Sequence, residues 1–452
     1  MTARVIVAGG GLAGIAAAVR LADAGAHVTL LEARARLGGA TYSFTRDGLS
    51  YDTGQHVFLR CYDDYRSLLR RLGTEAATTV QPRLSMPVLS PDGGRHVLRR
   101  SGLPAPLHLA GAVLGYGALG RADRLRAVRA AAALRGVDPD DPAVDAVSFG
   151  AWLERHGQSP AAIDRLWGLI AVAALNVRPH DASLALAARV FRTGLLDRND
   201  AGDLGIPQVP LGALHGDAAL RVLGEVGAEV RLRERVTGVR RTGAGYEVAT
   251  TAGERDADAV VLAVPHDRAA QLVPPEAADA SGWAGLGASP IVNVHVRYAR
   301  RVTDLEFFAA VDSPLQWVFD RTATSGLEQG QYLAVSLSAA DRYVSRPARD
   351  VAAEIVGALA VLLPDATPEA VERVYVTREP RATFRPAPGT GALRPTQRTR
   401  LPGLALAGAW TDTGLPDTME GAVRSGYGAA DAVTASLYTD DNRVTEPSEV
   451  AI

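Results

Sequence analysis

RVIVAGGGLAG, residues 4–14, is the stretch of this 452-residue chain that decides its fold. A short apolar run of strand type leads directly into a glycine turn, and a helical pattern follows from Leu12 to Ala24. A second apolar run, residues 27–31, then ends on Glu32. This order of strand, glycine turn, helix and strand predicts a βαβ unit that binds a dinucleotide.

Each part of this unit meets a physical need of such a ligand. Gly9 permits the tight turn, Gly11 lets the backbone approach a pyrophosphate, and Gly14 allows the helix to pack closely on the strand. The positive end of the helix dipole faces the diphosphate, and Glu32 is placed to accept hydrogen bonds from a ribose diol. If the glycines served packing alone, the acid at this distance would have no explanation.

A second glycine pair follows in Arg36-Leu37-Gly38-Gly39. It lets the backbone run along the other side of the diphosphate, where Arg36 can neutralise charge. This arrangement resembles the two-part motif of FAD-binding oxidoreductases in the amine oxidase and phytoene desaturase superfamily. The resemblance implies an α/β protein: a Rossmann-like FAD-binding domain of the two-dinucleotide-fold flavoprotein type, with an α+β substrate domain.

Composition excludes several classes of function. A formal net charge of −2 argues against a nucleic-acid partner. All 48 basic residues are arginine, so no lysine is available for Schiff-base chemistry. The lysine that related amine oxidases hold beside the flavin is likewise absent from this chain. The single cysteine, Cys61, rules out an intramolecular disulfide and predicts a reducing cytoplasm. We expect no metal.

The sequence predicts that one cofactor domain is assembled from distant pieces, because apolar strand runs of the same type recur along the chain. Its three parts are residues 1–80, 205–289 and 391–437. The predicted substrate domain comprises a mainly helical part, 81–204, and a sheet part, 290–390, in which alternation indicates strands. Residues 438–452 are polar and predicted to be a disordered tail.

Further blocks carry a more specific resemblance. These are Asp52-Thr53-Gly54-Gln55-His56, Ser313-Pro314-Leu315-Gln316-Trp317, and the stretches 407–416 and 418–426, which contain Gly408, Trp410 and the helix start Thr418–Ala422. Together they resemble the hydroxysqualene dehydroxylases, described also as squalene-associated FAD-dependent desaturases of hopanoid biosynthesis. The resemblance implies reductive removal of the allylic hydroxyl of hydroxysqualene to give squalene, with hydride from reduced flavin and an electron donor that the sequence does not identify.

Site residues follow from these blocks. The candidate proton donors are His56, Asp412 and Asp52, since the leaving hydroxyl needs a proton. The candidate substrate contacts are His295, Gln316, Trp317 and Trp410. The predicted cofactor contacts are Gly9, Gly11, Leu12, Ala13, Gly14, Glu32, Ala33, Arg34, Arg36, Gly38, Gly39, Ala40, Gly54, Gln55, His56, Val236, Gly408, Ala409, Met419, Glu420, Gly421 and Ala422.

One of these positions departs from the pattern of the relatives. Many of them carry aspartate where this chain has Ala409, and there it binds the ribityl chain of the cofactor. Covalent attachment of the flavin is not expected, because the C-terminal segment has no cysteine.

An apolar stretch, residues 103–119, is followed by several arginines and suggests peripheral contact with the inner face of the cell membrane. The stretch is too broken by proline and glycine to span a bilayer, and an ordinary helical subdomain is the other interpretation.

Three rival functions remain open: a carotenoid desaturase, which would run the flavin oxidatively; a non-catalytic isoprenoid carrier, which would be colourless; and an amine oxidase, disfavoured by the missing lysine.

Overall fold

The computed structural model describes residues 2–441 and is built around a five-stranded parallel sheet. The strands in spatial order are Glu229–Leu232, His27–Glu32, Arg4–Ala8, Ala259–Leu262 and Leu404–Leu406. The inner strands are almost wholly apolar because both faces of the sheet are covered. The predicted α/β class is confirmed, and the five strands come from three separated parts of the chain.

One face of this sheet is covered by helices and the other by further sheet and helices. The four helices of the first face are Leu12–Asp23, Asp63–Leu72, Ala218–Glu225 and Met419–Asp441. The opposite face packs on a three-stranded antiparallel sheet, formed by Val236–Thr242, Gly245–Thr250 and Gly253–Ala257, and on helices of the second domain. The apolar side chains of the strands are therefore buried on both sides.

A seven-stranded sheet forms the core of the second domain. Its strands in spatial order are Val371–Thr383, Ser289–Tyr298, Gln331–Leu337, Trp317–Asp320, Phe307–Ala310, Ser85–Leu89 and Arg95–Arg99. The last two come from the stretch 81–204, so this stretch is less helical than the sequence predicted. They form a hairpin, and its first strand pairs in parallel with Phe307–Ala310. Helix Ala348–Leu362 covers one face of the sheet.

The remainder of residues 81–204 is helical, and serine or aspartate side chains begin several of its helices. Ser148, Ser159 and Ser183 each accept a backbone N–H three residues on, and Asp141 does so two residues on. Pro142 and Pro160, which in the sequence look like breakers, each occupy the first turn of a helix. The helices are Ala110–Leu114, Arg121–Leu134, Pro142–Asp145, Phe149–Arg155, Pro160–Ala162, Gly168–Leu175 and Leu184–Phe191.

Smaller elements connect the two domains. Strand Leu204–Pro207 pairs with Phe58–Leu59 and Thr78–Val80, and strands Ser43–Arg46 and Leu49–Asp52 form a hairpin. The other helical segments are Glu75–Ala77, Leu107–Leu109, Ile163–Trp167, Pro179–Asp181, Arg192–Leu196, Gly212–Asp217, His266–Leu272, Trp283–Leu286, Thr322–Ser325, Ala340–Arg342, Pro368–Ala370 and Gly391–Leu393.

The C-terminal helix continues to Asp441, so residues 438–441 of the predicted disordered tail are helical. Residues 442–452 of the predicted disordered tail lie outside the described residues. Within the part of the chain that is described, no helix is both long and apolar enough to cross a bilayer.

Candidate functional site

The first glycine turn tolerates no side chain at two positions. Gly9 has φ +109°, and a Cβ there would lie 2.2 Å from the carbonyl oxygen of Ala263. A Cβ on Gly14 would lie 1.8 Å from the carbonyl oxygen of Gly9. The helix begins immediately after Gly11, at Leu12, and among the described residues no side chain caps its N-terminus. The first N–H groups of that helix, including those of Leu12, Ala13 and Gly14, are therefore available to an anion.

Glu32 links the ends of this turn. Its carboxylate accepts the backbone N–H of Gly10 and that of Arg34, each at 2.7 Å. Each oxygen retains lone-pair capacity for a ribose hydroxyl. The backbone of Glu234 donates to the Glu32 carbonyl at 3.0 Å, so the strand that begins at Val236 starts beside this acid. Ala33, next along the chain, is exposed.

The second glycine pair faces the first. Gly38 and Gly39 have φ +100° and +58°, and a Cβ on Gly39 would lie 2.8 Å from the Cα of Gly11. The N–H of Gly38 donates to the carbonyl of Gly10 at 2.8 Å. Arg36 donates to the Gly39 carbonyl at 3.1 Å, and exposed Ala40 follows. The two glycine segments thus lie in direct backbone contact, with no room for side chains between them.

The C-terminal helix brings a second N-terminus to the same region. Thr418 caps it, since its hydroxyl accepts the N–H of Gly421 at 3.1 Å, while the N–H of Ala422 donates to the carbonyl of Thr418. The side chain of Glu420 points to another helix, because its carboxylate accepts the N–H groups of Asp64 and Tyr65 at 3.2 and 2.9 Å. Burial raises the pKa of Glu420. Buried Met419 opens the helix.

Gly426 lets this helix cross the dinucleotide helix at very short range. A Cβ on Gly426 would lie 2.2 Å from the carbonyl oxygen of Ala13 and 2.9 Å from the Cβ of Ala16. The contact joins residues that lie more than 400 positions apart in the chain. The sequence places Gly426 in a resembling block, but it does not indicate this packing role.

The turn before the C-terminal helix is held by hydrogen bonds between its backbone and the side chains of Ser425 and Arg394. Gly408 has φ +137°, and its N–H donates to the hydroxyl of Ser425 at 2.8 Å. Ala409 is buried, and its carbonyl accepts a hydrogen bond from buried Arg394 at 3.0 Å. The same guanidinium donates to the carbonyl of Thr411 at 2.6 Å. Arg394 therefore holds the loop in which this chain lacks the aspartate of its relatives.

The block at residues 52–56 lies at the junction of the two domains. Asn293 reaches it from the seven-stranded sheet and donates to the carbonyl of Thr53 at 2.7 Å. A Cβ on Gly54 would lie 3.0 Å from the ring of His56. Two buried polar atoms here have no hydrogen-bond partner among the described residues: Asn293 Oδ1 and Gln55 Nε2. The sequence analysis missed Asn293, whose only signal is a polar residue inside an apolar strand.

None of the three candidate proton donors has contacts that favour this role. Desolvation lowers the pKa of His56, so its neutral form predominates at pH 7. Asp52 is buried in an ion pair with Arg321 at 3.2 Å and also accepts the hydroxyl of Ser43 at 2.6 Å. Asp412 is exposed and accepts a backbone N–H at 3.1 Å.

The four candidate substrate contacts are dispersed. His295 is buried, with its ring nitrogens 2.6 Å from the hydroxyl of Tyr332 and 3.1 Å from that of Thr377. Gln316 exchanges two hydrogen bonds with the backbone of Ser338. Trp410 is buried in the first domain and donates to the carbonyl of Val264. Each of these three side chains is thus held by hydrogen bonds within the protein, and their role as substrate contacts stays a prediction.

Trp317 is partly accessible, as is Gln316, but Trp317 also belongs to an apolar cluster. It stacks on Phe307 and Phe319, with ring centroids 6.4 and 6.2 Å away. The same cluster includes Val57 and Leu59, just beyond His56. The accessible apolar surface therefore starts beside the 52–56 block.

A cavity of about 240 Å³ lies at the N-terminal end of the C-terminal helix. Its walls include Leu59, Ala174, Val190, the loop residues Thr413–Pro416, and Thr418. Arg189, Glu420 and Arg424 give one part of the wall a charged character. Because Leu59 also belongs to the apolar cluster, the cavity adjoins a continuous apolar region.

Asp417 is a carboxyl that the sequence analysis did not single out. It lies in the chain between Pro416 and Thr418, which line the cavity, but it is not itself part of the lining, and its carboxylate accepts the N–H of Phe384 at 3.0 Å. Desolvation raises its pKa to about 6, against smaller opposing effects of Phe384 and Arg394. In the sequence, an aspartate before a helix start is typical of an ordinary first turn, so nothing indicated this perturbation.

The residues present fit a flavin dinucleotide. The free N–H groups at the start of helix Leu12–Asp23, beside the two glycine segments, suit a diphosphate, and Glu32 suits a ribose. The unpartnered atoms of Gln55 and Asn293 can bind the polar edge of the ring system. The N-terminus of the C-terminal helix can stabilise negative charge on a reduced ring.

Comparison with known proteins gives the same assignment. The family model for flavin containing amine oxidoreductase matches residues 12–434. A hydroxysqualene dehydroxylase from Rhodopseudomonas palustris is 33% identical over 450 residues, covering 96% of this chain and 99% of that protein. A probable zeta-carotene desaturase from Synechococcus elongatus is 27% identical, covering 95% and 98%.

Solved structures agree on the fold. Cyclohexylamine oxidase from Brevibacterium oxydans superimposes with a TM-score of 0.73 at 20% identity, covering 97% of this chain and all of that one. The chain thus belongs to the flavin containing amine oxidoreductase family, in the branch that includes the hydroxysqualene dehydroxylases, and is a flavin-dependent oxidoreductase.

Proposed function

We propose that this enzyme removes the allylic hydroxyl of hydroxysqualene reductively and releases squalene and water. The observation that carries the proposal is the similarity to a hydroxysqualene dehydroxylase over nearly the whole of both chains. The apolar cluster beside the cavity supports a long isoprenoid substrate. FAD, bound without a covalent bond, is the proposed cofactor.

The reaction replaces a C–OH bond by a C–H bond. One proton and one hydride enter, and the hydroxyl departs as water, which leaves an allylic cation for the hydride to reach. Bound flavin in its reduced form supplies the hydride. The chain must hold the allylic carbon in place, exclude water and deliver the proton.

Asp417 is the proposed proton donor. A carboxyl with a pKa of about 6 is partly protonated near neutral pH and can be reprotonated after each turnover. Its chain neighbours Pro416 and Thr418 line the cavity, although Asp417 itself does not, whereas Asp52 is ion-paired and Asp412 is exposed. The apolar wall that contains Leu59 disfavours a hydroxide ion beside an allylic cation, so it favours departure of the hydroxyl as neutral water.

The test is anaerobic incubation of chemically reduced enzyme with hydroxysqualene, followed by mass spectrometry of the lipid extract. We expect squalene with one hydrogen derived from the reduced flavin. The second candidate is a carotenoid desaturase, favoured by the similarity to the probable zeta-carotene desaturase. Dehydrogenation of phytoene by oxidised enzyme, without squalene formation by reduced enzyme, would establish the desaturase instead.

The role of Asp417 has its own test. Because the acid must be protonated, kcat of the wild type should fall as the pH rises through about 6. Asp417→Asn should lower kcat about 10²–10⁴-fold and abolish this pH dependence. Asp431→Asn, an exposed aspartate on the C-terminal helix, is the matched control. An unaltered pH profile in Asp417→Asn would assign the proton to another group.

The mode of flavin attachment is tested by acid precipitation of the purified enzyme. Release of all the yellow colour into the supernatant supports non-covalent FAD. Colour retained in the pellet would indicate a covalent bond, for which Cys61, in the cavity wall, would be the first residue to replace.

A further inference from the structure

Exposed apolar side chains are concentrated in one part of the second domain. The described residues leave seven large apolar side chains exposed, and five of them fall between residues 97 and 125. They are 44–57% exposed and are called here the apolar patch: Val97, Leu103, Leu107, Leu114 and Leu125. Isolated exposed leucines are ordinary, but a concentration of this kind marks an interaction surface.

The segments that carry the patch are packed against one another. Helix Ala110–Leu114 contacts both strand Arg95–Arg99 and helix Arg121–Leu134. Arg124 fixes the second contact, because its guanidinium donates to the carbonyl of Leu114 at 3.1 Å and to that of Leu119 at 2.8 Å. The patch is therefore a feature of one folded surface.

Beneath the patch, apolar packing continues to the cavity. Ala112 and Val113, from the helix that carries Leu114, and Leu109, from the helical segment before it, pack on the buried cluster described above. Leu59 packs on the same cluster and also lines the cavity. The segment that carries the patch and the wall of the cavity therefore pack on one apolar cluster.

The charge around the patch is strongly positive, although the whole chain is slightly negative. Residues 95–135 contain eight arginines and a single acidic residue, Asp123. Arg100 is buried in an ion pair with Asp203, but Arg95, Arg99 and Arg121 are exposed. Exposed leucines bordered by arginines are the features by which a surface binds anionic phospholipid headgroups and the acyl chains below them.

We propose that the apolar patch docks this enzyme on an anionic bilayer, with leucine side chains inserted at the level of the acyl chains and arginines on the headgroups. The helix that carries Leu114 has only five residues, so the contact lies in one leaflet. Docking here also gives a bilayer-dissolved substrate an apolar entrance, a consequence that rests on the proposed function.

The test is co-sedimentation with sucrose-loaded vesicles in the absence of substrate, so that its outcome is independent of the proposed reaction. Vesicles contain either phosphatidylcholine alone or phosphatidylcholine with phosphatidylglycerol. We expect the holoenzyme to bind the anionic vesicles, and binding to decrease with salt. Leu107→Ser/Leu114→Ser should reduce the partition coefficient at least tenfold, and Arg95→Gln/Arg121→Gln should selectively weaken binding to phosphatidylglycerol.

The matched control is Val361→Ser, which replaces the most exposed of the seven side chains, located on helix Ala348–Leu362. It should bind like the wild type, and all variants must retain flavin. Wild type left in the supernatant at low salt would overturn the proposal. A wild-type dimer that Leu107→Ser/Leu114→Ser converts to monomers, with no vesicle binding by either protein, would also overturn it and assign the patch to contact between copies.

Discussion

Gly426→Ala tests whether the close crossing of the C-terminal helix and helix Leu12–Asp23 is needed for stability and for cofactor binding. Alanine should gain about 1 kcal/mol over glycine in a helix interior. Against this, the new Cβ would lie 2.2 Å from the carbonyl oxygen of Ala13. An ordinary contact requires roughly 3.3 Å, so the helices must separate by about 1 Å.

Overpacking of this kind costs typically about 1–3 kcal/mol, and a backbone oxygen cannot move aside as a side chain can. We therefore expect a cost near the upper limit and a net destabilisation of about 2 kcal/mol. Gly428→Ala is the matched control, because its Cβ would meet only side-chain atoms of Gln397, the nearest at 3.3 Å, and no backbone atom. Gly428→Ala keeps the gain of about 1 kcal/mol in helix propensity, so the free energies of unfolding of the two variants should differ by about 3 kcal/mol.

The assay is differential scanning calorimetry together with the ratio of flavin to protein absorbance after gel filtration. Gly426→Ala should melt several degrees below Gly428→Ala and retain less flavin, because separating the helices displaces Thr418–Ala422 from the dinucleotide turn. Equal melting temperatures and equal flavin content in the two variants would refute the reasoning.

Three further predictions concern polar groups. Glu32→Gln keeps the shape but loses one acceptor for a backbone N–H, so flavin affinity measured by titration of apoenzyme should fall at least tenfold; the exposed Glu225→Gln should leave it unchanged. Arg321→Met should cost about 3–5 kcal/mol in chemical denaturation because it leaves the Asp52 carboxylate buried and unpaired, and Asp52→Asn in the same chain should recover part of this; equal stability of the single and double variants would contradict the pairing. Burial lowers the pKa of His295 to about 4, so below pH 6.5 the unfolded chain binds a proton that the folded protein does not. Stability should therefore fall between pH 6.5 and 4 by up to about 1.4 kcal/mol per pH unit for this group, and His295→Gln should show a shallower acid slope.

The dinucleotide turn could be predicted because its requirements are local. Gly9, Gly14 and Glu32 act within one βαβ unit, where spacing along the chain fixes spacing in the fold. The same holds for the second glycine pair. The fold class and the family followed from these short segments and from the resembling blocks.

Contacts made across the chain could not be predicted in this way. Asp320 and Arg321 are oppositely charged neighbours in the chain, yet Arg321 pairs with Asp52, and Asp320 accepts hydrogen bonds from Thr322 and Gln331. Residues at the end of a strand point to opposite faces, so neighbours meet different partners. The surroundings of the candidate proton donors could not be predicted either, because burial and pairing depend on segments that no local pattern identifies.

The five strands of the parallel sheet come from three separated parts of the chain, and this arrangement affects the order in which the protein can fold. Strand Leu404–Leu406 is the last of the five to be synthesised, and the helix that covers Ala13 follows it. Until then, the N-terminal helix has an uncovered apolar face. Because the chain emerges from the ribosome at roughly 5–20 residues per second, this face waits on the order of 20–80 s for its partner. A chain shortened before residue 404 therefore lacks both an edge strand and the cover of its first helix, and flavin binding marks the completion of folding.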